Sequence, residues 1–128
     1  MNRNYKILIN DIIAAMDHIV KFVEGMNYQE FIADEKTISA VFRKFEVIGE
    51  AIKLIPENIR IEYPEVPWKR MAGMRDKLMH GYFTVDYKLV WNSIKIEIPK
   101  LKPELQNIFN DFDTRSRQKD KHLDTESH

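Results

Sequence analysis

The chain has 128 residues, 20 basic and 20 acidic side chains, no cysteine, and a formal net charge of zero. This length suits one domain with a single core, and the absence of cysteine excludes disulfides, thiolate metal sites and thiol nucleophiles. Balanced charge argues against non-specific coating of nucleic acid. The longest apolar run, residues 12–16, is far too short to span a bilayer, and the N-terminus lacks the pattern of a secretory signal, so we expect a cytoplasmic protein.

The first third of the chain carries strong helix signals. Apolar residues recur every three or four positions from Ile9 to Val23, which predicts an amphipathic helix over residues 4–24. Gly25 follows where a left-handed helix end is favoured. Asn27 and Glu30 have the spacing of a capping box, which predicts a short helical turn after them.

The middle of the chain is divided by prolines. A second apolar stripe over residues 38–55 predicts another long helix, which Pro56 ends because its ring disfavours helical backbone in the preceding residue. Residues 56–66 indicate a connection with about one helical turn. Pro67 suits the first position of a third helix, which we expect to stop at Gly81.

The last apolar stripe, from Val90 to Phe112, predicts a helix that begins after an N-cap at Asp86. Pro99 and Pro103 lie inside this stripe, so we expect a kink or two abutting helices. From residue 113 onward the apolar period disappears and charged side chains dominate, which indicates a disordered tail.

These elements predict an all-α fold: an antiparallel bundle of four to five helices over residues 1–112, followed by a charged C-terminal tail over residues 113–128. Residues 94–98 alternate apolar and polar side chains as a strand would. They have no obvious partner strand, and we favour the helix.

Residues 67–80 carry a net charge of +3, the only segment that hints at a polyanionic partner. A solvated helix face would look the same. The charged residues of this segment are Lys69, Arg70, Arg75, Asp76 and Lys77.

Arg75, His80 and Tyr82 set a guanidinium, an imidazole and a phenol around one predicted helix end. A guanidinium binds phosphate oxygens with a planar fork of donors, and an imidazole transfers protons near neutral pH. Attack by the 2′-hydroxyl of RNA on its own phosphodiester requires a base, an acid and charge stabilisation. The Arg-x4-His spacing also occurs at Arg117 and His122, but without a tyrosine and within the predicted tail.

An ideal helix does not bring the first two of these residues together. Positions five apart are separated by about 140° around the helix and about 7.5 Å along it. Either the helix distorts near Gly81, so that His80 turns toward Arg75, or a symmetric dimer brings two motifs into one cleft.

Other chemistry finds little support. His18 and His80 lack the glutamate three residues earlier that di-iron helical bundles place before histidine, so we expect no metal site. We expect His18 on the surface. Trp68 could stack on a base, but its apolar helix face favours core packing.

One known family shares this arrangement. Arg75-Asp76-x-x-x-His80-x-Tyr82, followed by Phe83-x-Val85-Asp86 and Val90-Trp91, resembles the HepT-like branch of the HEPN ribonuclease toxins. The upstream runs Ile48-Gly49-Glu50-Ala51 and Pro64-x-x-Pro67-Trp68-x-x-Met71-x-Gly73-Met74 are also similar to that branch. The resemblance covers about residues 5–112 and leaves out the tail.

The resemblance implies a helical bundle that dimerises across its motif and cleaves RNA without a metal or cofactor. It also implies a partner, a small nucleotidyltransferase antitoxin that uses ATP to adenylylate Tyr82. His80 would transfer protons, Arg75 would contact the phosphate in the transition state, and Asp76 would have a supporting role. Lys69, Arg70 and Lys77 would guide the RNA backbone. A non-catalytic adapter of the same fold, binding a nucleotidyltransferase or nucleotides, and a plain dimerisation module remain alternatives.

Overall fold

The computed structural model of the protein describes the backbone of residues 4–80 and 84–126, and the side chains of these residues except 4, 75, 78–80 and 116–126. In the described ranges the fold is mostly helical, as predicted. The elements are α1 (Asn4–Phe22), α2 (Tyr28–Ala33), α3 (Glu35–Lys53), α4 (Glu57–Glu62), α5 (Trp68–Ala72), α6 (Met74–Leu78), β1 (Met79–His80), β2 (Thr84–Val85), α7 (Tyr87–Asn92), a π-helical turn (Ser93–Glu97) and α8 (Ile98–Glu126). None of the helices in these ranges has the length and hydropathy needed to cross a bilayer.

The core forms where α1 packs between α3 and α8. The N-terminal end of α1 meets the middle of α8, because the rings of Tyr5 and Phe112 contact edge to face with centroids 5.1 Å apart. Nearer the other end, Asp17 pairs with Lys102. The two helices are therefore antiparallel. Their fully buried side chains are Ile9, Ile12, Met16, Ile19, Leu105 and Ile108, which come from the predicted apolar stripes.

Local end signals act as predicted in the first third of the chain. Gly25 has a φ of 78°, a backbone conformation that side chains disfavour, and it follows the end of α1. The Asn27 side chain accepts a hydrogen bond from the Glu30 backbone N–H at 2.8 Å, and the Glu30 side chain accepts one from the Asn27 N–H at 3.1 Å. This capping box begins α2.

Arg60 ties the short helix α4 to the end of α3. Its guanidinium donates to the carbonyls of Ile52 at 3.0 Å, Lys53 at 3.1 Å and Ile55 at 3.2 Å. The first two carbonyls belong to the last turn of α3, where helical partners run out, and Ile55 follows two residues after the helix. The connection predicted to hold about one helical turn therefore contains the helix α4, and Arg60 of this helix caps the end of α3.

The prediction of one continuous third helix up to Gly81 is wrong. The Gly73 N–H donates to the Lys69 carbonyl at 3.1 Å and closes α5, and a separate helix, α6, ends at Leu78. The chain then extends, because β1 pairs with β2 in an antiparallel ladder. The β-branched residues Thr84 and Val85 favour this extended backbone. The periodicity of residues 67–81 could not reveal β1, because the strand that pairs with it, β2, comes later in the chain.

The expected distortion near Pro99 is a π-helical turn. The Ile98 N–H donates to the carbonyl of Ser93, five residues earlier, and the next residue has no N–H to continue the regular pattern. Pro103 lies inside α8. Residues 94–98 are helical, so the strand alternative is excluded. Asp86 caps α7 as predicted, since its side chain accepts from the Leu89 N–H at 3.1 Å.

Helical backbone continues past the predicted end of the bundle. The apolar stripe ends at Phe112, but α8 extends to Glu126. Asp113 pairs with Lys6 on α1, and Arg115 pairs with Glu62 at the end of α4. These ion pairs hold the first residues of the predicted tail against the bundle.

Candidate functional site

The backbone of the motif segment changes direction between its two principal residues. Arg75 lies in α6, whereas His80 lies in β1, two residues beyond the helix end. The separation calculated for an ideal helix therefore does not apply to this pair. The side chains of both residues, and the whole of Tyr82, lie outside the described part of the protein. Their predicted convergence remains a prediction.

The ladder β1–β2 holds the two sides of the tyrosine-bearing connection together. Met79 is paired with Val85, and His80 with Thr84, so residues 81–83 join two hydrogen-bonded strands. Val85 is half-buried and packs against the core. The Asp86 cap then starts α7 directly after the ladder. The motif segment is thus anchored on both sides of Tyr82.

Trp68 belongs to the support of the site, as the core-packing alternative predicted. Its ring is buried, and its indole N–H donates to the Tyr63 carbonyl at 3.0 Å. This bond fixes the start of α5, from which the motif segment continues. His18 is exposed and stacks on Phe22, which confirms the predicted surface position.

Gly49 allows α3 to lie close to the junction of α5 and α6. A Cβ atom built at this position would be 3.4 Å from the carbonyl oxygen of Ala72, at the tight edge of ordinary contact. Larger side chains would push the junction outward. Gly49, which belongs to one of the runs that resemble the family, therefore lets α3 pack against the helices that carry the motif.

The three basic residues predicted to contact RNA are all exposed: Lys69 and Arg70 on α5, and Lys77 on α6. Arg70 is engaged by Glu97, with 2.6 Å between Nη2 and Oε2. The pair neutralises part of the positive charge of the segment. Asp76, the predicted supporting residue, is also exposed on α6.

A cleft of about 160 Å³ opens between α5–α6 and the π-helical turn. The residues that line it are Arg70, Met74, Lys77, Leu89, Ser93 and Glu97. Met74 and Lys77 flank Arg75 in the chain, so the cleft borders the motif. The sequence analysis did not identify Glu97 as a residue of this cleft, because it lies 15 residues after the last residue of the motif in the chain. The only signal was its spacing of four from Ser93, which places both residues on one helix face.

A separate polar cluster joins α4 to α8. The Tyr63 hydroxyl donates to Asp111 at 2.8 Å, and burial together with this bond raises the pKa of Tyr63 above its usual range. The hydrogen bond from Arg115 lowers the pKa of Glu62. Every member has a partner, which indicates a structural tie. Among the described residues, no group of three or more histidine or acidic side chains could hold a metal ion.

Comparison with known proteins identifies the class of this helical bundle. The family model "Ribonuclease HepT-like" matches residues 12–108. "Putative RNase MJ0125" of Methanocaldococcus jannaschii is 48% identical over 113 residues, 88% of this chain and 97% of the relative. "Putative RNase MJ1216" of the same organism is 49% identical over 111 residues, 87% and 92% of the two chains. "Probable ribonuclease HepT" of Thermococcus cleftensis is 42% identical over 108 residues, 84% and 98%. No solved structure matches the chain.

The family model covers the bundle from α1 to α8, including the motif segment. The chain belongs to the HepT-like ribonuclease family. Its class of activity is that of an endoribonuclease.

Proposed function

We propose that the protein is the toxin of a toxin–antitoxin pair, a metal-independent endoribonuclease that cleaves tRNA or mRNA. Arg75 and His80 are the catalytic residues, and they act in a cleft between two copies of the chain. Adenylylation of Tyr82 by a nucleotidyltransferase antitoxin neutralises the activity.

The observation that carries the proposal is the end of α6 before His80. A continuous helix would have kept the two catalytic residues on different faces. Because β1 replaces the helix after Leu78, the backbone at His80 does not follow that helical geometry. Membership of a ribonuclease family supports the same reading.

The chemistry requires only groups of the RNA and of this motif. The 2′-oxygen attacks the adjacent phosphorus while a base removes its proton, and the bond from phosphorus to the 5′-oxygen breaks. An acid protonates the leaving oxygen, so the products are a 2′,3′-cyclic phosphate and a 5′-hydroxyl. His80 transfers protons, and Arg75 stabilises the negative charge that gathers on the phosphoryl oxygens. Asp76 supports Arg75 in the motif.

A two-fold dimer supplies the second imidazole. One histidine can serve as base and its symmetry mate as acid, because both steps need a proton carrier with a pKa near neutrality. Lys69, Arg70 and Lys77 are exposed on the helices that lead into the motif, where they can follow the phosphate backbone.

Adenylylation provides a physical means of neutralisation. The Tyr82 oxygen attacks the α-phosphorus of ATP, pyrophosphate leaves, and an AMP group remains on the tyrosine. The added phosphodiester carries a negative charge two residues from His80 in the chain. Bulk and charge together exclude the RNA backbone.

Cleavage of total tRNA in EDTA tests the catalytic part. Unmodified protein should cut, and Arg75→Ala and His80→Ala should each reduce the rate about 100-fold or more. Arg117→Ala and His122→Ala are matched controls with the same spacing, and they should keep the wild-type rate. An inactive wild-type protein, or a fully active motif variant with intact helical circular dichroism, contradicts the proposal. Inactivity with retained binding of the nucleotidyltransferase would favour the adapter.

Intact mass tests the regulatory part. After co-expression with a candidate antitoxin, the protein should gain the mass of one or more AMP groups, and Tyr82→Phe should prevent the gain. Tyr28→Phe, a tyrosine on α2, is the control. An unchanged mass, or AMP that persists in Tyr82→Phe, removes this part of the proposal.

A further inference from the structure

The cleft beside α6 has the size and the walls for one small planar group, such as a single nucleobase. Its volume of about 160 Å³ is well below the several hundred Å³ of pockets that hold larger ligands. Met74 and Leu89 supply apolar side chains from opposite helices. Ser93 is buried in the wall, and its hydroxyl donates to the Leu89 carbonyl at 2.8 Å.

Glu97 gives this cleft a carboxylate in an unusual setting. The same residue borders an apolar cavity inside the bundle, together with Phe45, Met71 and Leu101. A carboxylate has two acceptor oxygens and no donor. Glu97 is therefore suited to recognise a ligand that offers two neighbouring N–H groups.

Arg70, the present partner of the Glu97 carboxylate, can be replaced by a ligand. Arg70 Nη2 lies 2.6 Å from Glu97 Oε2, and the two side chains are 48% and 29% exposed. Exposed ion pairs of this kind contribute little to stability. A ligand with its own donors can therefore replace Arg70, whose guanidinium is then free to contact a phosphate.

We propose that the cleft binds one unpaired guanine base of the RNA, next to the bond that is cleaved. Glu97 accepts hydrogen bonds from N1–H and from the 2-amino group of guanine. Met74 and Leu89 cover the faces of the base, and Arg70 and Lys77 contact the flanking phosphates. This inference rests on the proposed function, because RNA as the ligand follows from it.

Guanine is the base that matches the carboxylate. Among the four RNA bases, only guanine presents two adjacent donors on its Watson–Crick edge. Adenine and cytosine present one amino group beside an acceptor, and uracil presents one N–H between two acceptors. Single-stranded RNA exposes these edges to side chains. An acceptor beside the carboxylate would be repelled, so the other bases are disfavoured.

Binding of short RNAs to the His80→Ala protein tests the proposal without cleavage. The probes are fluorescent oligouridines that carry one guanosine or one inosine, since inosine lacks only the 2-amino group. The guanosine probe should bind about tenfold more tightly in anisotropy titrations, and adding Glu97→Gln should reduce this preference to less than about twofold. No preference for guanosine, or a preference that survives Glu97→Gln, overturns the inference.

Two further variants separate recognition from a structural strut. Arg70→Gln removes the same ion pair but keeps the carboxylate, so it should weaken binding of both probes and preserve the preference. Glu46→Gln, in the Arg43–Glu46 pair of α3, is the matched control and should change neither. Equal loss of preference in Arg70→Gln and Glu97→Gln would overturn the inference. Guanosine preference without any RNA cleavage by the wild-type protein would contradict only the proposed catalytic function.

Discussion

Trp68 stabilises the fold in two ways, because its ring is buried and its indole N–H donates a hydrogen bond to the Tyr63 carbonyl. The sequence pattern predicted the packing but not the hydrogen bond. Trp68→Phe keeps an aromatic ring but removes the indole donor, so the Tyr63 carbonyl retains only the hydrogen bond from the Val66 N–H at 3.2 Å. We expect a loss of about 0.5–1.5 kcal/mol in the free energy of unfolding, measured by urea denaturation. Trp91→Phe is the control, because Trp91 contacts the rings of Tyr28 and Phe31. Equal losses in the two variants would contradict the role of the hydrogen bond.

Tyr63 makes stability depend on alkaline pH. Burial and the hydrogen bond to Asp111 raise the pKa of its phenol, so the folded protein keeps a proton that the unfolded chain loses near pH 10. The contribution to stability is complete below that pH and decreases as the pH rises above it. The urea midpoint of the wild-type protein should therefore fall more steeply between pH 9 and 11 than that of Tyr63→Phe. Parallel slopes would contradict this account, and Tyr28→Phe should behave as wild type.

At the scale of elements, the approach of α3 to the α5–α6 junction is the critical contact. Gly49→Ala adds a Cβ atom at ordinary contact distance from the Ala72 carbonyl and removes a helical glycine, so we expect a change within about 1 kcal/mol. Gly49→Val adds two methyl groups and should cost about 1–3 kcal/mol in urea denaturation. RNA cleavage should fall with Gly49→Val and persist with Gly49→Ala. Full activity of Gly49→Val would show that the junction tolerates displacement.

The sequence predicted helix ends correctly where the residues that begin or end the helix lie next to it in the chain. Gly25, the Asn27–Glu30 capping box and Asp86 act on the backbone within a few residues, so their effect is legible in the chain itself. The ladder β1–β2 and the contact of Arg70 with Glu97 depend on partners elsewhere in the fold. Helical periodicity therefore predicted the bundle, but it extended the third helix too far and missed an acidic residue of the cleft.

For the whole molecule, contacts described between α8 and the other helices extend past the predicted domain boundary to Arg115. A chain that ends at Arg115 should unfold at nearly the same urea concentration as the full chain. A chain that ends at residue 110 loses the Tyr63–Asp111 hydrogen bond and the packing of Phe112 on Tyr5, and should be about 2 kcal/mol less stable. Equal stability of the two shortened chains would contradict a structural role for residues 111–115.

The central claim for the whole molecule is that Arg75 and His80 act on the same phosphodiester. Single-turnover cleavage of RNA in EDTA, measured for Arg75→Ala, His80→Ala and the double variant, tests it most directly. Residues that act as a unit show strongly non-additive effects, so the double variant should lose about as much activity as the more damaged single variant. Losses that multiply in the double variant, or a single variant that cleaves at the wild-type rate, would contradict the account.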